Sequence, residues 1–332
     1  MTSSYSSVAA WRRVLRTNIT DKQRLVEYLE LNPQLAQRVV PTRHFPLHLP
    51  LRLAQKMNKG TLDDPLLRQY VPLQEEHVLN EGFSKDPVGD ELSCVTERFL
   101  HKYKGRALLL CTGACAMHCR YCFRQHYDYP ASHPFDKELE CISEDPSLRE
   151  IILSGGDPLA LNNESLQQLI HRLSCMKHIR RLRFHTRFPI GIPERVDSAF
   201  LGILSTAKQA VYFVIHCNHP KELDDEVLQA LDSVRRAGAT LLCQSVLLRG
   251  VNDDEETLEE LCFKLVDHHI QPYYLHQLDR AQGTAHFEVS AEKGIQLIHR
   301  LRGKLPGYAV PQFVRESSGE PSKTPLLSFC HS

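Results

Sequence analysis

The chain reads as an α/β protein built on an open, curved partial barrel of six β/α units, preceded by a helical extension. Three observations carry that reading. From residue 107 onward, short apolar runs alternate with stretches of helical length, the pattern of a parallel sheet with crossover helices. The beat occurs six times, too few to close an eight-fold barrel. Polar and glycine-rich segments cluster just after the strands, where such folds gather their sites.

In order along the chain, residues 11–31 read as helical, with Asp21 as a side-chain cap; 47–57 is a second helical stretch and 63–70 a short third. No catalytic motif appears before residue 100, so residues 1–100 are taken as an extension wrapped on the barrel. The barrel core is placed at 101–306. Its strands are expected at 107–111, 150–154, 181–186, 211–216, 240–247 and 272–276. Helices are expected at 164–176, at 223–237 with Gly238 as a C-terminal cap, and at 255–267. Residues 307–332 form a closing segment, with a strand-like run at 308–314 and then a polar Gly/Ser/Pro loop.

Bulk properties narrow the function. The 332 residues are 42% apolar, enough for a sizeable core. Forty basic and forty acidic side chains cancel, which argues against a nucleic-acid binder. No run approaches the ~20 apolar residues of a membrane span. Residues 1–7 lack the charged and apolar regions of a signal peptide, so a cytoplasmic protein is expected. Eleven cysteines, an odd number, do not form a secreted disulfide framework. Cys94, Cys111, Cys141, Cys175, Cys217, Cys243, Cys262 and Cys330 stand singly, several in apolar runs that suit small buried hydrophobes.

The other three are different. Cys115, Cys119 and Cys122 lie within eight residues, spaced by three residues and then two. Three thiolates can hold three irons of a 4Fe–4S cube and leave the fourth iron open to a ligand. Zinc would want a fourth ligand, commonly from a second cysteine pair, and none follows. Ser154, Gly155, Gly156 and Asp157 form a turn after the second core strand, where glycine lets a ligand approach the backbone.

The cysteine spacing resembles the signature of the radical S-adenosylmethionine (SAM) superfamily, whose core is a partial TIM-like barrel. Longer segments resemble the lysine 2,3-aminomutase family: CAMHCRYCFRQ (115–125), ILSGGDPL (152–159), CQSVLLRGVNDD (243–254), YYLHQLDRAQGTAHF (273–287) and FVRESSGEPSKTPL (313–326). The match covers residues 83–326, and the chain ends soon after it, as in the short bacterial branch of the family.

The resemblance implies a 4Fe–4S cluster on the three cysteines. It implies SAM at Ser154, Gly155, Gly156 and Asp157, with His216 and Gln244 also in reach. It implies pyridoxal 5′-phosphate (PLP) bonded to Lys323, with Tyr103 near its ring and Lys102 and Arg106 near its phosphate. Arg124 matches the arginine that grips the substrate carboxylate. Asp279 and Glu316 match two acids that hold a lysine ε-ammonium, Glu316 standing where the long enzymes carry aspartate. Two carboxylates around one ammonium disfavour glutamate as the substrate. Glu320, Pro321 and Ser322 replace glycines of the long enzymes, which should stiffen the loop before Lys323.

The implied reaction is radical 1,2-amino migration, converting free L-lysine to (R)-β-lysine. The implied context is an electron donor for the cluster and supply of β-lysine for modifying elongation factor P with its lysyl ligase. A homo-oligomer is compatible with this reading. The alternatives are an aminomutase for another amino acid, a cluster-binding partner of elongation factor P without turnover, and a nucleic-acid modifier. Intact Cys115, Lys323 and Arg124 oppose the second, and zero net charge opposes the third.

Overall fold

A computed structural model describes residues 9–130 and 134–327 of the chain. A single ten-stranded sheet dominates it. Its strands are β1 (Cys94–Thr96), β2 (Phe99–Tyr103), β3 (Arg106–Thr112), β4 (Glu150–Gly155), β5 (Arg181–Thr186), β6 (Ala210–His216), β7 (Thr240–Val246), β8 (Gln271–His276), β9 (Gln312–Arg315) and β10 (Thr324–Pro325). They lie side by side in chain order. β3 to β9 are parallel, while β1–β2–β3 and β9–β10 pair antiparallel.

The barrel therefore has seven parallel strands rather than six. The added strand is β9, which starts at Gln312, after a 3₁₀ turn at Gly307–Ala309 that shortens the expected run. Crossover to it runs through α12 (Ala291–Lys304), a helix the sequence reading passed over. Basic residues crowd that stretch and blur its apolar stripe of Leu297, Ile298 and Leu301.

Five short helices precede the sheet: α1 (Ala10–Leu15), α2 (Lys22–Tyr28), α3 (Pro33–Arg38), α4 (Leu51–Gln55) and α5 (Pro65–Tyr70). The expected helix over 11–31 is thus two helices. Asp21 caps the second, accepting from the Arg24 backbone N–H at 2.9 Å. Between and outside the strands lie α6 (Asp136–Glu144), α7 (Asn163–Ser174), α8 (Phe188–Gly191), α9 (Ser198–Ser205), α10 (Asp225–Arg236) and α11 (Glu255–Asp267). Asp224 and Asp254 cap α10 and α11. Gly238 follows α10 with φ of 98°, the left-handed conformation that ends helices cheaply only as glycine.

Side-chain alternation explains both the core and the site. Leu109, Ile151, Leu153, Leu182, Phe184, Val211, Phe213, Ile215 and Leu241 point outward onto the helices. Their neighbours, among them Ser154, Arg183, His185, His216, Gln244 and His276, point inward to a cavity. The outward core also contains Trp11, Leu25, Leu53 and Leu66, so the N-terminal helices and the barrel share one apolar interior. Trp11 is 3% exposed and meets Phe188 edge-on with ring centroids 5.4 Å apart.

Of the single cysteines, Cys111, Cys217, Cys243 and Cys262 are buried as expected; Cys94 and Cys175 are exposed, Cys141 is half-buried, and Cys330 lies outside the described residues, as do residues 1–8. Among the described residues no helix is long and apolar enough to cross a membrane.

Trp11 is the one tryptophan in the chain, so its fluorescence reports the docking of α1. Because the core is shared, tryptophan emission and far-UV circular dichroism should trace one coincident transition in urea. An earlier tryptophan transition would show the extension undocking alone.

Candidate active site

Every residue expected to hold the cluster, SAM, PLP or substrate borders one cavity of about 620 Å³ inside the barrel. Strand ends supply most of them: the cysteine loop follows β3, Gly155 ends β4, His216 ends β6, Gln244 lies near the end of β7, and Asp279 and Glu316 follow β8 and β9.

The cysteine loop has no helix or strand of its own, and its partners come from two directions. On one side is the turn after β4. Gly156 N–H donates to the Thr112 carbonyl at 2.6 Å, and Asp157 N–H to the Ala114 carbonyl at 2.9 Å. A Cβ on Gly156 would stand 2.5 Å from the Ala114 oxygen and 2.7 Å from Gly113. The glycine is needed for backbone to pack on backbone, bracing the cysteine loop. Asp157 is a departure from the sequence reading. Its carboxylate accepts from the Thr186 hydroxyl and from the backbone N–H groups of Leu159, Arg187 and Phe188. It ties β4 to the end of β5, and burial pushes it up to about 6 against those donors.

On the other side is the N-terminal extension. Asn18 donates to the Ala116 carbonyl at 2.8 Å, His118 N–H to the His48 carbonyl at 3.0 Å, and Arg120 N–H to the Gln69 carbonyl at 2.8 Å. The Arg120 side chain is 1% exposed and forks onto Glu76, with Nε and Nη2 at 2.8 and 2.6 Å from its two oxygens. This gives the first hundred residues a role that no motif announced.

The three cysteines suit a cluster. They are free thiols on the cavity wall. Burial pushes all three up, Cys122 to about 12, and the charges of Cys119 and Cys122 add to the rise at Cys115. Three buried thiols within eight residues become thiolates only against a strong positive charge, which a cluster's iron provides. Among the described residues no three His, Cys, Asp or Glu side chains are set to hold one metal ion. Ligands spread over the corners of a cube need not converge on a single ion, whereas those of a zinc site must.

A second group gathers where the end of β2 meets the chain just after β9. Glu316 accepts from Lys102 Nζ at 2.9 Å, from the Tyr103 hydroxyl at 3.0 Å and from Lys323 Nζ. Burial alone would raise Glu316, but the Lys323 and Lys102 ammoniums outweigh it and hold the carboxyl far below its ordinary value. The β9–β10 hairpin places Lys323 here: Thr324 pairs with Arg315, and the loop from 316 to 323 turns back on itself. Lys102 is thus engaged by Glu316, and its Nζ lies 5.8 Å from the Tyr103 ring centroid. The Arg106 guanidinium lies 4.6 Å from the Tyr103 ring centroid and has no carboxylate partner among the described residues.

These groups fit PLP: an amine for its aldehyde, an aromatic ring, and a cation free to take phosphate. Asp279 accepts no side-chain hydrogen bond among the described residues, and burial pushes it up to about 7. Arg124 uses Nε to donate to Asp90 at 2.7 Å and presents the rest of its fork to the cavity.

The structure adds residues that the sequence did not mark. Asp90 anchors Arg124 from 34 positions away. His185 and His276 face the cavity with Nε2 atoms that have no partner, and burial keeps both neutral. His216 and Gln244 are neighbours in register with side chains 2.5 Å apart, and burial lowers His216 to about 3. The signal that could have found the histidines is their inward position in the strand alternation.

Comparison with known proteins follows the same lines. The 4Fe-4S single cluster domain family matches residues 104–182. The L-lysine 2,3-aminomutase of Escherichia coli K12 is 43% identical over 323 residues, covering 95% of this chain and 94% of that one. The enzyme of the same name from Haemophilus influenzae is 38% identical over 320 residues, covering 95% and 94%. That of Clostridium subterminale is 33% identical over 330 residues, covering 96% of this chain and 77% of its own.

Replacing Arg120 with methionine should leave Glu76 buried and uncompensated, a loss of about 3–5 kcal/mol. Urea unfolding of the iron-free protein measures that loss, and iron content after reconstitution should fall with it. Full iron content at unchanged stability would remove the extension from the support of the cysteine loop.

Proposed function

The chain belongs to the L-lysine 2,3-aminomutase family, and from that premise we propose that it converts L-lysine to (R)-β-lysine in the barrel cavity. The observation that carries the reading is the shared cavity: Cys115, Cys119 and Cys122 on one wall, Lys323 on another, and Arg124 and Asp279 between the elements that hold them.

When bound, the cluster with SAM supplies a carbon-centred radical that takes hydrogen, and PLP supplies an aldehyde that holds the migrating nitrogen. The cysteines would hold the cluster, and Lys323, Tyr103 and Arg106 would hold PLP. The Gly155–Gly156 turn, His216 and Gln244 lie where SAM would reach the cluster. Arg124, held by Asp90, presents a guanidinium edge suited to the substrate carboxylate. Asp279 and Glu316 suit the ε-ammonium at the other end. In the structure Lys323 itself gives Glu316 a cation. A carboxylate that accepts one lysine ammonium is suited to accept that of a lysine substrate in its place. Glutamate would bring a third carboxylate to the same acids.

Higher identity with the E. coli relative, 43% against 33% for the clostridial one, supports placement in the branch of the former. On that reading β-lysine passes to a ligase that attaches it to a lysine of elongation factor P.

Anaerobic incubation of reconstituted protein with L-lysine, PLP, SAM and a reductant, followed by chiral chromatography and mass spectrometry, should yield (R)-β-lysine. Absence of β-lysine from a preparation loaded with cluster and PLP would overturn the proposal.

The acid pocket gives a pH dependence. Burial raises Asp279 to about 7, so it gains its charge only as pH rises through that value. The substrate ε-ammonium stays charged throughout, with a pKa near ~10.4. KM for lysine should fall as pH rises through about 7, and Asp279→Asn should raise KM about tenfold or more and flatten the profile, as for loss of one partner of a buried charge pair. An unchanged profile in the variant would remove Asp279 from the site.

A further inference from the structure

Arg187 follows β5, is 7% exposed, and is held at its backbone N–H and at both terminal nitrogens, while its Nε has no partner among the described residues. Its backbone N–H donates to Asp157 at 2.7 Å. Its guanidinium carbon lies 4.8 Å from the Tyr70 ring centroid and 5.4 Å from that of Tyr121. Nη2 donates to Glu222 and to Gln69, each at 2.6 Å. Nη1 points the other way, to the Tyr121 hydroxyl and to Cys119 Sγ at 3.0 Å.

A guanidinium keeps its charge under all ordinary conditions. Glu222 balances that charge from one edge and is itself fixed by the backbone N–H groups of Asn218 and His219. The other edge meets a sulfur. Cys119 is the one cysteine of the triplet to which this cation donates. Resting on the reading of the triplet as a cluster site, we propose that Arg187 is a positioning residue that raises the cluster's reduction potential through its N–H···S bond to Cys119. Glu222 and Gln69 hold it in place.

The physical reason is charge. One-electron reduction, from whatever low-potential donor serves the enzyme, adds a negative charge to the cluster and makes or breaks no bond. A donor N–H on a ligating sulfur and a nearby buried cation both favour the added charge. The carboxylate of Glu222 opposes it from the far edge of the same guanidinium. The two residues therefore act with opposite signs, which a merely structural knot would not do.

The test is a mediator redox titration of the reconstituted protein, followed by the electron paramagnetic resonance signal of the reduced cluster. Arg187→Gln should make reduction about tenfold less favourable, a shift of about 59 mV to more negative potential for one electron. Glu222→Gln should shift the midpoint the other way, and Arg187→Lys, which keeps charge but loses the fork, should fall between wild type and Arg187→Gln. Should Arg187→Gln fail to fold, the sign of the Glu222→Gln shift decides. Unchanged midpoints in cluster-loaded variants would overturn the inference alone. A wild-type protein that gives no reducible cluster would overturn the cluster reading and the inference with it.

Discussion

An eight-residue loop without secondary structure has to hold three thiols in fixed positions, and the fold is arranged around that demand. Backbone polar groups in such a loop must find partners outside it. Thr112 and Ala114, just ahead of the loop, find them in the turn after β4; within it Ala116 finds Asn18, and the backbone N–H groups of His118 and Arg120 find the carbonyls of His48 and Gln69. The glycines of the turn and the helices of the extension thus serve one purpose from opposite sides. The shared apolar core from Trp11 to Ile270 keeps those two sides from separating.

The rest of the cavity follows from the sheet being open. A closed barrel would satisfy its edges with strand pairing, but the end strands β1 and β10 do not pair with each other in the described structure. Lys102 and Tyr103 at the end of β2 instead reach Glu316 just after β9, and Lys323 joins them. The seam is closed by ionic hydrogen bonds, which can be exchanged for a ligand's more readily than a strand ladder can. The lysine expected to carry PLP and an acid expected to meet the substrate are therefore in contact before either ligand arrives. Arg124, two residues past the last cysteine, and Asp279, within charge range of Lys323 and Glu316, line the same enclosure, so both ends of an amino acid find charge within it.

Chemistry borne on short motifs was legible in the sequence; partners brought together by folding were not. Cys115, Cys119 and Cys122 announce themselves by spacing, and Lys323 by its motif. Strand alternation also marks most of the barrel. The seventh parallel strand escaped because α12 hides its apolar stripe among basic residues and Gly307–Ala309 breaks the run before β9. Gly156 was read as room for a ligand, and the structure shows it making room for the backbone at Gly113 and Ala114. Asp157, expected at the SAM site, binds the end of β5. Asp90, Glu76 and Glu222 carry no local signal, since each acts on an arginine at least 34 residues away.

The central claim is that the cysteine loop and the PLP lysine act on one substrate within one cavity. Lysine carrying deuterium at C3 tests it directly, by mass spectrometry of the SAM-derived 5′-deoxyadenosyl group after turnover. The account predicts deuterium in that group, because the radical takes its hydrogen from the lysine held by Lys323's cofactor and Arg124. β-Lysine formed with no deuterium in that group would contradict it.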